Sequence, residues 1–281
     1  MSKKQREPEY IKSAINTPMI NYQVYYMNMK EKILTFFVAF FAGGGIGLVF
    51  YGGQFRNSDG MTTDATTISN VILFVLIGFI VTIIFFPIRR KQLLLKRKDE
   101  LTQQFRSFLE ALSTSLSSGM NMNEALNSAY TDLSNNYSKG SYILMETKEI
   151  ISGLKNNVSL ESMLDSFGYR SQIDDIKNFG VVFNVCYRAG GNLNDVVRRT
   201  NTIISEKIEI SAEIETALAS NRSQFTAMMV IPVVMMLLLR VMSSAFAASF
   251  ATPAGIVAIT VAIGLFALAY RLGQKIMSVK E

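Results

Sequence analysis

The stretch Ile68–Lys91, ISNVILFVLIGFIVTIIFFPIRRK, decides the architecture. From Ile68 to Ile88 it carries no charge, and it stops against Arg89, Arg90 and Lys91. A bilayer core about 30 Å thick is crossed by about 20 apolar residues of α-helix, so residues 68–88 read as a membrane span whose basic flank marks the cytoplasmic end. Three further blocks pass the same test. Residues 33–51 (ILTFFVAFFAGGGIGLVFY) follow more than thirty mostly polar residues and precede no small-residue cleavage site, which argues against a signal peptide. Residues 225–247 are apolar apart from Arg240, which belongs near the outer end because charge in hydrocarbon must snorkel or find a partner. Residues 253–270 end at Arg271 and Lys275.

Lysine and arginine in the short flanks set the orientation. Lys3, Lys4, Arg6, Lys12, Lys30 and Lys32 precede the first span, and Arg89, Arg90, Lys91, Lys96, Arg97 and Lys98 follow the second. Arg222 precedes the third, and Arg271, Lys275 and Lys280 follow the fourth. The expected layout is a cytoplasmic arm (1–32), span (33–51), outer loop (52–67), span (68–88), cytoplasmic helical domain (89–224), span (225–247), outer loop (248–252), span (253–270) and cytoplasmic tail (271–281). The fold class is therefore an all-α membrane protein with two flanking pairs of spans around a cytoplasmic bundle of about six helices. The basic cluster at 89–98 so close to a span reads as topology and contact with anionic lipid rather than as a nucleic-acid patch, and it is equally a candidate for an acidic partner surface.

Composition narrows the chemistry. The 281 residues are 49% hydrophobic with net charge +6, and they include no histidine and one cysteine. That removes the commonest general base and the usual zinc sites. Cys186 cannot form an intramolecular disulfide and, with no histidine to activate it, reads as a small core residue. The run Gly43-Gly44-Gly45-Ile46-Gly47 is not a phosphate loop, because no Lys-Ser or Lys-Thr follows and it lies in a span. Gly43 and Gly47, four apart, suit a span-packing face. Asp174 and Asp175 diverge by about 100° on a helix, so they read as a solvated face or cap rather than as an acid–base pair. No cofactor, metal or catalytic residue is expected.

Between the spans, apolar residues recur at helical spacing. Leu101, Phe105, Phe108, Leu109, Leu112 and Leu116 form one stripe, and Ile176, Phe179 and Phe183 share a face assigned also to Val181–Val185. Residues 193–218 carry Val197, Ile203, Ile204, Ile208, Ile210, Ile214 and Leu218, and predict one long helix leading into the third span. Three passages repeat a grammar: Gly119-Met120 before Asn121-Met122-Asn123-Glu124-Ala125-Leu126, Gly153 before Ser159-Leu160-Glu161-Ser162-Met163-Leu164, and Gly190-Gly191 before Asn192-Leu193-Asn194-Asp195-Val196-Val197. A glycine ends one helix in the left-handed region and an Asn or Ser caps the next. An apolar pair follows at cap plus four and plus five each time. These are three helix-turn-helix corners.

The passages SFLEALSTSLSSGMNMNEAL (107–126), ISGLKNNVSLESMLDSF (151–167) and AGGNLNDVVRRTNTIISEKIEISAEIETALAS (189–220) resemble the F-type platform proteins of type II secretion and type IV pili. The layout of two leading spans, one cytoplasmic unit and two trailing spans approached by Thr252, Pro253 and Gly255 resembles the Tad-like one, and the chain is most similar to the TadB-like branch of the tight-adherence (Flp) pilus machinery, with the TadC-like sister and a type II secretion F component as the alternatives and a small-solute transporter as a weaker one. The resemblance implies a non-enzymatic inner-membrane protein. Its implied partners are a cytoplasmic hexameric secretion ATPase, pilin subunits, membrane lipids, and itself or a paralogue, with no nucleic acid. The first thirty residues lie outside the resemblance, and the aromatic stretch Tyr22–Tyr26 reads as an interfacial helix or a partner-binding arm.

Overall fold

A computed structural model describes residues 7–53, 63–243, 249–250 and 252–277. Lys3, Lys4, Arg6, Arg56, Asp59 and Lys280 lie outside the described residues. The fold is all-α, with one small hairpin: β1 (Tyr10–Lys12) and β2 (Pro18–Ile20) pair antiparallel, Tyr10 opposite Ile20. Eight helices follow among the described residues: α1 (Met29–Tyr51), α2 (Asp64–Ser117), α3 (Met122–Asn136), α4 (Tyr142–Lys155), α5 (Leu160–Ser171), α6 (Asp174–Arg188), α7 (Leu193–Met242) and α8 (Pro253–Met277). Four of them, α1, α2, α7 and α8, are long and apolar enough to cross a membrane.

Two of the spans do not stop where hydropathy stops. The second runs on through Pro87 and the basic cluster as one 54-residue helix, and the third is the C-terminal part of a 50-residue helix that begins at Leu193. The first helix also begins before its apolar block. Asn28 caps it, accepting from the Met29 N–H, while Glu31 reaches back to the Asn28 N–H in a capping box.

The chain divides into two compact units, Met1–Tyr26 with Arg90–Ala212, and Met27–Arg89 with Glu213–Glu281. In the first, the stripe of α2 from Leu101 to Leu112 is buried and Leu116 packs against it. The apolar pairs that follow the three caps, Ala125 and Leu126, Met163 and Leu164, Val196 and Val197, are all buried in the same core. Each corner thus aims the second turn of its new helix inward. Phe105 anchors the centre, with edge contacts to Phe167 and Phe179 at centroid distances of 6.0 and 5.6 Å. Cys186 is half-buried against this core.

The expected apolar face is corrected on α6, while α7 is the one long helix expected. On α6 the buried arc is Ile176, Phe179, Gly180 and Phe183, whereas Val181, Val182 and Val185 project to the exposed side. A 3.6-residue repeat cannot bury both sets. On α7 Val196, Val197 and Ile204 are buried, while Ile203, Ile210 and Ile214 are exposed.

The N-terminal arm is corrected as well. Pro8 and Pro18 disfavour a helix, and residues 10–20 form the hairpin, its turn holding Asn16 at φ 60°. The segment after it is neither an interfacial helix nor free. Tyr22 is fully buried in the bundle core, edge-on to Tyr142 at 5.7 Å. Burying a side chain of that size contributes about 2–3 kcal/mol from its apolar part.

Within the second unit, α1 and α2 pack through glycine. A Cβ built on Gly43 would stand 2.6 Å from the Val81 Cβ, and one on Gly47 would stand 2.7 Å from the Ile77 Cδ1. Gly44 is as close to the Phe74 ring, and Gly78 on α2 returns the arrangement against the Phe40 carbonyl. Gly45, by contrast, has open space at its Cβ position.

Candidate functional site

The three corners share one hydrogen-bond geometry. Met120 N–H donates to the Ser115 carbonyl at 3.3 Å, Val158 N–H to the Gly153 carbonyl at 2.9 Å, and Gly191 N–H to the Cys186 carbonyl at 2.8 Å. Each closes the end of a helix from the third residue beyond it, as in a Schellman motif. The left-handed residues are Gly119 (φ 88°), Asn157 (φ 60°) and Gly190 (φ 67°). Gly153 is therefore not the helix-ending glycine. It sits buried inside α4, where a Cβ would run into the Met163 side chain of α5, and Asn157 takes the strained turn because asparagine tolerates the left-handed region. The next residue after each closing bond caps the following helix. Asn121 accepts from the Glu124 N–H at 3.0 Å, Ser159 from the Ser162 N–H at 3.3 Å, and Asn192 from the Asp195 N–H at 3.4 Å. Gly119, Asn121, Ser159, Gly190, Gly191 and Asn192 are exposed, so the corners are surface features with buried consequences.

The basic cluster separates into two sets. Arg89, Arg90, Lys91 and Lys96 are exposed. Arg97 turns to the arm, donating to the Val24 carbonyl at 3.4 Å and lying 4.3 Å over the Tyr25 ring. Lys98 donates to the Gln172 carbonyl at 3.0 Å, and partial burial lowers its pKa while Asp174 opposes that shift. Two of six charges assigned to the membrane flank are thus spent within the bundle. Asp175 pairs with Lys207 at 3.2 Å, and Asp174 and Asp175 occupy the first turn of α6, where negative charge suits the helix dipole.

The most heavily buried charges were not singled out by sequence. Arg170 of α5 grips Glu146 of α4 bidentately, Nη1 to Oε1 at 2.7 Å and Nη2 to Oε2 at 2.6 Å, with both side chains almost wholly buried. The Tyr22 hydroxyl donates to the same Oε1 at 3.0 Å, and the Tyr22 N–H donates to the Arg170 carbonyl at 3.1 Å. Burial raises the Glu146 carboxyl above its ordinary range, against the pull of the guanidinium and the phenol. Burial works to lower the Arg170 guanidinium, but the carboxylate it grips leaves it raised. The two short, matched bonds hold the pair ionised. Burial and the neighbouring carboxylate hold the Tyr22 phenol well above its ordinary value. A signal for the pair exists in the sequence: Glu146 continues the apolar phase of Ile143 and Ile150, and Arg170 that of Met163 and Phe167. Opposite charges at core positions of adjacent helices point to each other.

In the second unit, Arg240 donates from Nη1 to the Leu48 carbonyl at 3.0 Å and from Nη2 to the Phe50 carbonyl at 3.2 Å, and stands 5.4 Å from the Phe250 ring centroid. The charge inside span 3 is answered by the terminal carbonyls of α1, which carry the negative end of that helix dipole. Two cavities of about 320 and 370 Å³ line α2 in the bundle, bordered by Glu100 and Gln104 with Ser141, and by Glu110 with Asp132. Gln104 spends its carbonyl on the Ile143 N–H at 3.0 Å, capping α4 where Ser141 does not. Among the described residues no cluster of three or more His, Cys, Asp or Glu side chains is placed to hold a metal.

No curated protein and no solved structure matches the chain. Residues 108–239 match the family model of the type II secretion system (T2SS), protein F. The match begins in the buried stripe of α2, takes in all three corners and the Glu146–Arg170 pair, and ends beside Arg240 in the third span. Four apolar helices and this family together make a multi-pass membrane protein, one that over residues 108–239 is similar to the type II secretion system (T2SS), protein F.

Proposed function

We propose that the chain is a non-enzymatic platform of a secretion or pilus machine, coupling a cytoplasmic hexameric ATPase to the extraction and assembly of pilin subunits, with the bundle and both termini on the cytoplasmic side. The family match over the corner-bearing segment carries this reading. Four spans with one bundle fit a Tad-like layout better than that of the larger type II secretion F component, and within it the TadB-like branch is the reading adopted. Two features support transmission of work. The helices α2 and α7 run without interruption from bundle residues into apolar span residues, and a continuous helix resists bending better than a loop. The charge inside the spans at Arg240 is occupied with backbone carbonyls of α1, which argues against a polar path for a small solute.

The test is co-purification of the full chain in nanodiscs with an intact secretion ATPase hexamer. Retention of the hexamer, weakened by charge reversal at exposed Arg90 and Lys96 in lipid without net charge, is the expected result. Failure of the hexamer to bind while the bundle is folded overturns the platform reading.

A further inference from the structure

The arm is fastened to the bundle at three places. At the hairpin turn, Ser13 Oγ donates to Glu149 Oε1 at 2.5 Å and the Thr17 hydroxyl donates to the same oxygen. In the middle, Tyr22 fills its socket on Glu146 and Arg170, and Gln23 Nε2 donates to the Tyr169 carbonyl at 3.1 Å. At the exit, Arg97 holds the Val24 carbonyl and the Tyr25 ring. Four residues after Tyr25, α1 begins. We propose that residues 7–27 are a releasable strap that ties the chain ahead of span α1 to the α4–α5 face and comes away from a bundle that stays folded.

The chemistry of the fasteners separates a strap from an ordinary core element. Among the described residues that form the buried core, Tyr22 alone comes from the arm. Ile15 and Ile20 of the arm pack half-buried against that core, and the polar fasteners are hydroxyl, amide and guanidinium bonds that water can replace. Withdrawal of Tyr22 leaves no orphan charge, because Arg170 still satisfies both oxygens of Glu146, the step that would be costly if the phenol were the carboxylate's sole donor. Once free, the arm is a two-stranded hairpin with three-residue strands, too small to persist alone. Docked and released states are therefore both physically sound, which is what a two-state element requires.

The placement gives release a trigger. Only Met27 and Asn28 separate Tyr26 from the first helical residue of α1, at most about 7 Å of extended chain. A larger displacement of the span draws directly on the socket. The inference rests on α1 being a membrane span and is independent of the identity of the machine.

Native-state hydrogen exchange on the full chain in nanodiscs tests it. The Tyr22 and Asn21 amides, bonded to the Arg170 and Glu9 carbonyls, are expected to exchange through an opening at least about a hundredfold more populated than the one that exposes α4 and α5. Tyr22→Phe removes one bond to a charged acceptor that both openings break, and should raise each about tenfold or more while the gap between them is kept. Ser13→Ala with Thr17→Val should raise both in the same way from the other end. If the arm, α4 and α5 share one protection level, in the native sequence or in the Tyr22→Phe variant, the arm is an integral part of the core and the proposal is wrong.

Discussion

Replacement of Arg170 by methionine puts the buried pair to the test. The guanidinium supplies two of the three hydrogen bonds to Glu146, at 2.7 and 2.6 Å, and its side chain is 2% exposed against 1% for the carboxylate. Methionine fills much of the volume but leaves a desolvated carboxylate with the Tyr22 hydroxyl as its remaining donor. Loss of one partner from such a pair costs about 3–5 kcal/mol, a hundredfold to several thousandfold in the folding equilibrium at about 1.4 kcal/mol per factor of ten. Removing both charges, Glu146→Leu with Arg170→Met, should cost about 1–3 kcal/mol, the price of an unpaired phenol. The double variant is thus more stable than the single one by about 2 kcal/mol. Acid should moderate the single variant. Burial already raises the folded carboxyl above its ordinary value of 4.5, and removal of the guanidinium that opposes this raises it further. A raised carboxyl gives stability that is present at low pH and lost as pH rises through its folded value, so the penalty is largest at neutral pH and shrinks toward 4.5. Protection of α4 and α5 amides, measured against denaturant in nanodiscs, reads all three quantities. A cost below about 1 kcal/mol for Arg170→Met, or single costs that simply add, would refute the description of a desolvated pair.

Three further outcomes follow from the same geometry. Gly43→Ala forces a methyl group to within 2.6 Å of the stiff Val81 side chain and should destabilise α1–α2 packing by about 1–3 kcal/mol, whereas Gly45→Ala meets nothing and should gain up to about 1 kcal/mol of helix propensity; equal thermal stabilities in detergent would remove the packing argument. Arg240→Met deprives the Leu48 and Phe50 carbonyls of their donors, and exchange at the Gly52 amide should rise about tenfold or more; unchanged exchange there would show that the arginine does not hold that helix end. Because Tyr22 keeps its proton well above the ordinary 10.0, its contribution is complete below that value and lost as pH rises through the folded one. An alkaline absorbance titration should therefore show one late tyrosine whose ionisation coincides with loss of arm protection, a step that Tyr22→Phe abolishes.

What could be read in advance follows from how far each signal reaches along the chain. The spans declare themselves by length and the caps by short-range grammar, and the pairs Ala125–Leu126, Met163–Leu164 and Val196–Val197 fall in the core because a cap fixes the phase of the turns that follow it. Gly153 was misplaced because glycine has two uses, turning and close approach, and only the neighbouring Met163 reveals which one applies. Arg97 and Lys98 look like the rest of a basic run until the arm and the Gln172 carbonyl are brought beside them. Val181, Val182 and Val185 were assigned to the core by composition, although their phase on the helix opposes that of Phe179 and Phe183. The socket for Tyr22 joins residues more than a hundred positions apart, and no local pattern contains it.

The self-sufficiency of Glu146 and Arg170 also bears on ancestry. The socket lies within residues 108–239, the segment shared with the T2SS protein F family, while the arm that fills it lies wholly outside. Since the two charges satisfy each other, a lineage can acquire or delete the arm as one piece, with neither event stranding a charge in the interior. Substitution at either charge carries a heavier penalty, and the two are expected to change together. Gain or loss of the arm thus strands no charge, whereas the two charges beneath it are constrained to change as a unit.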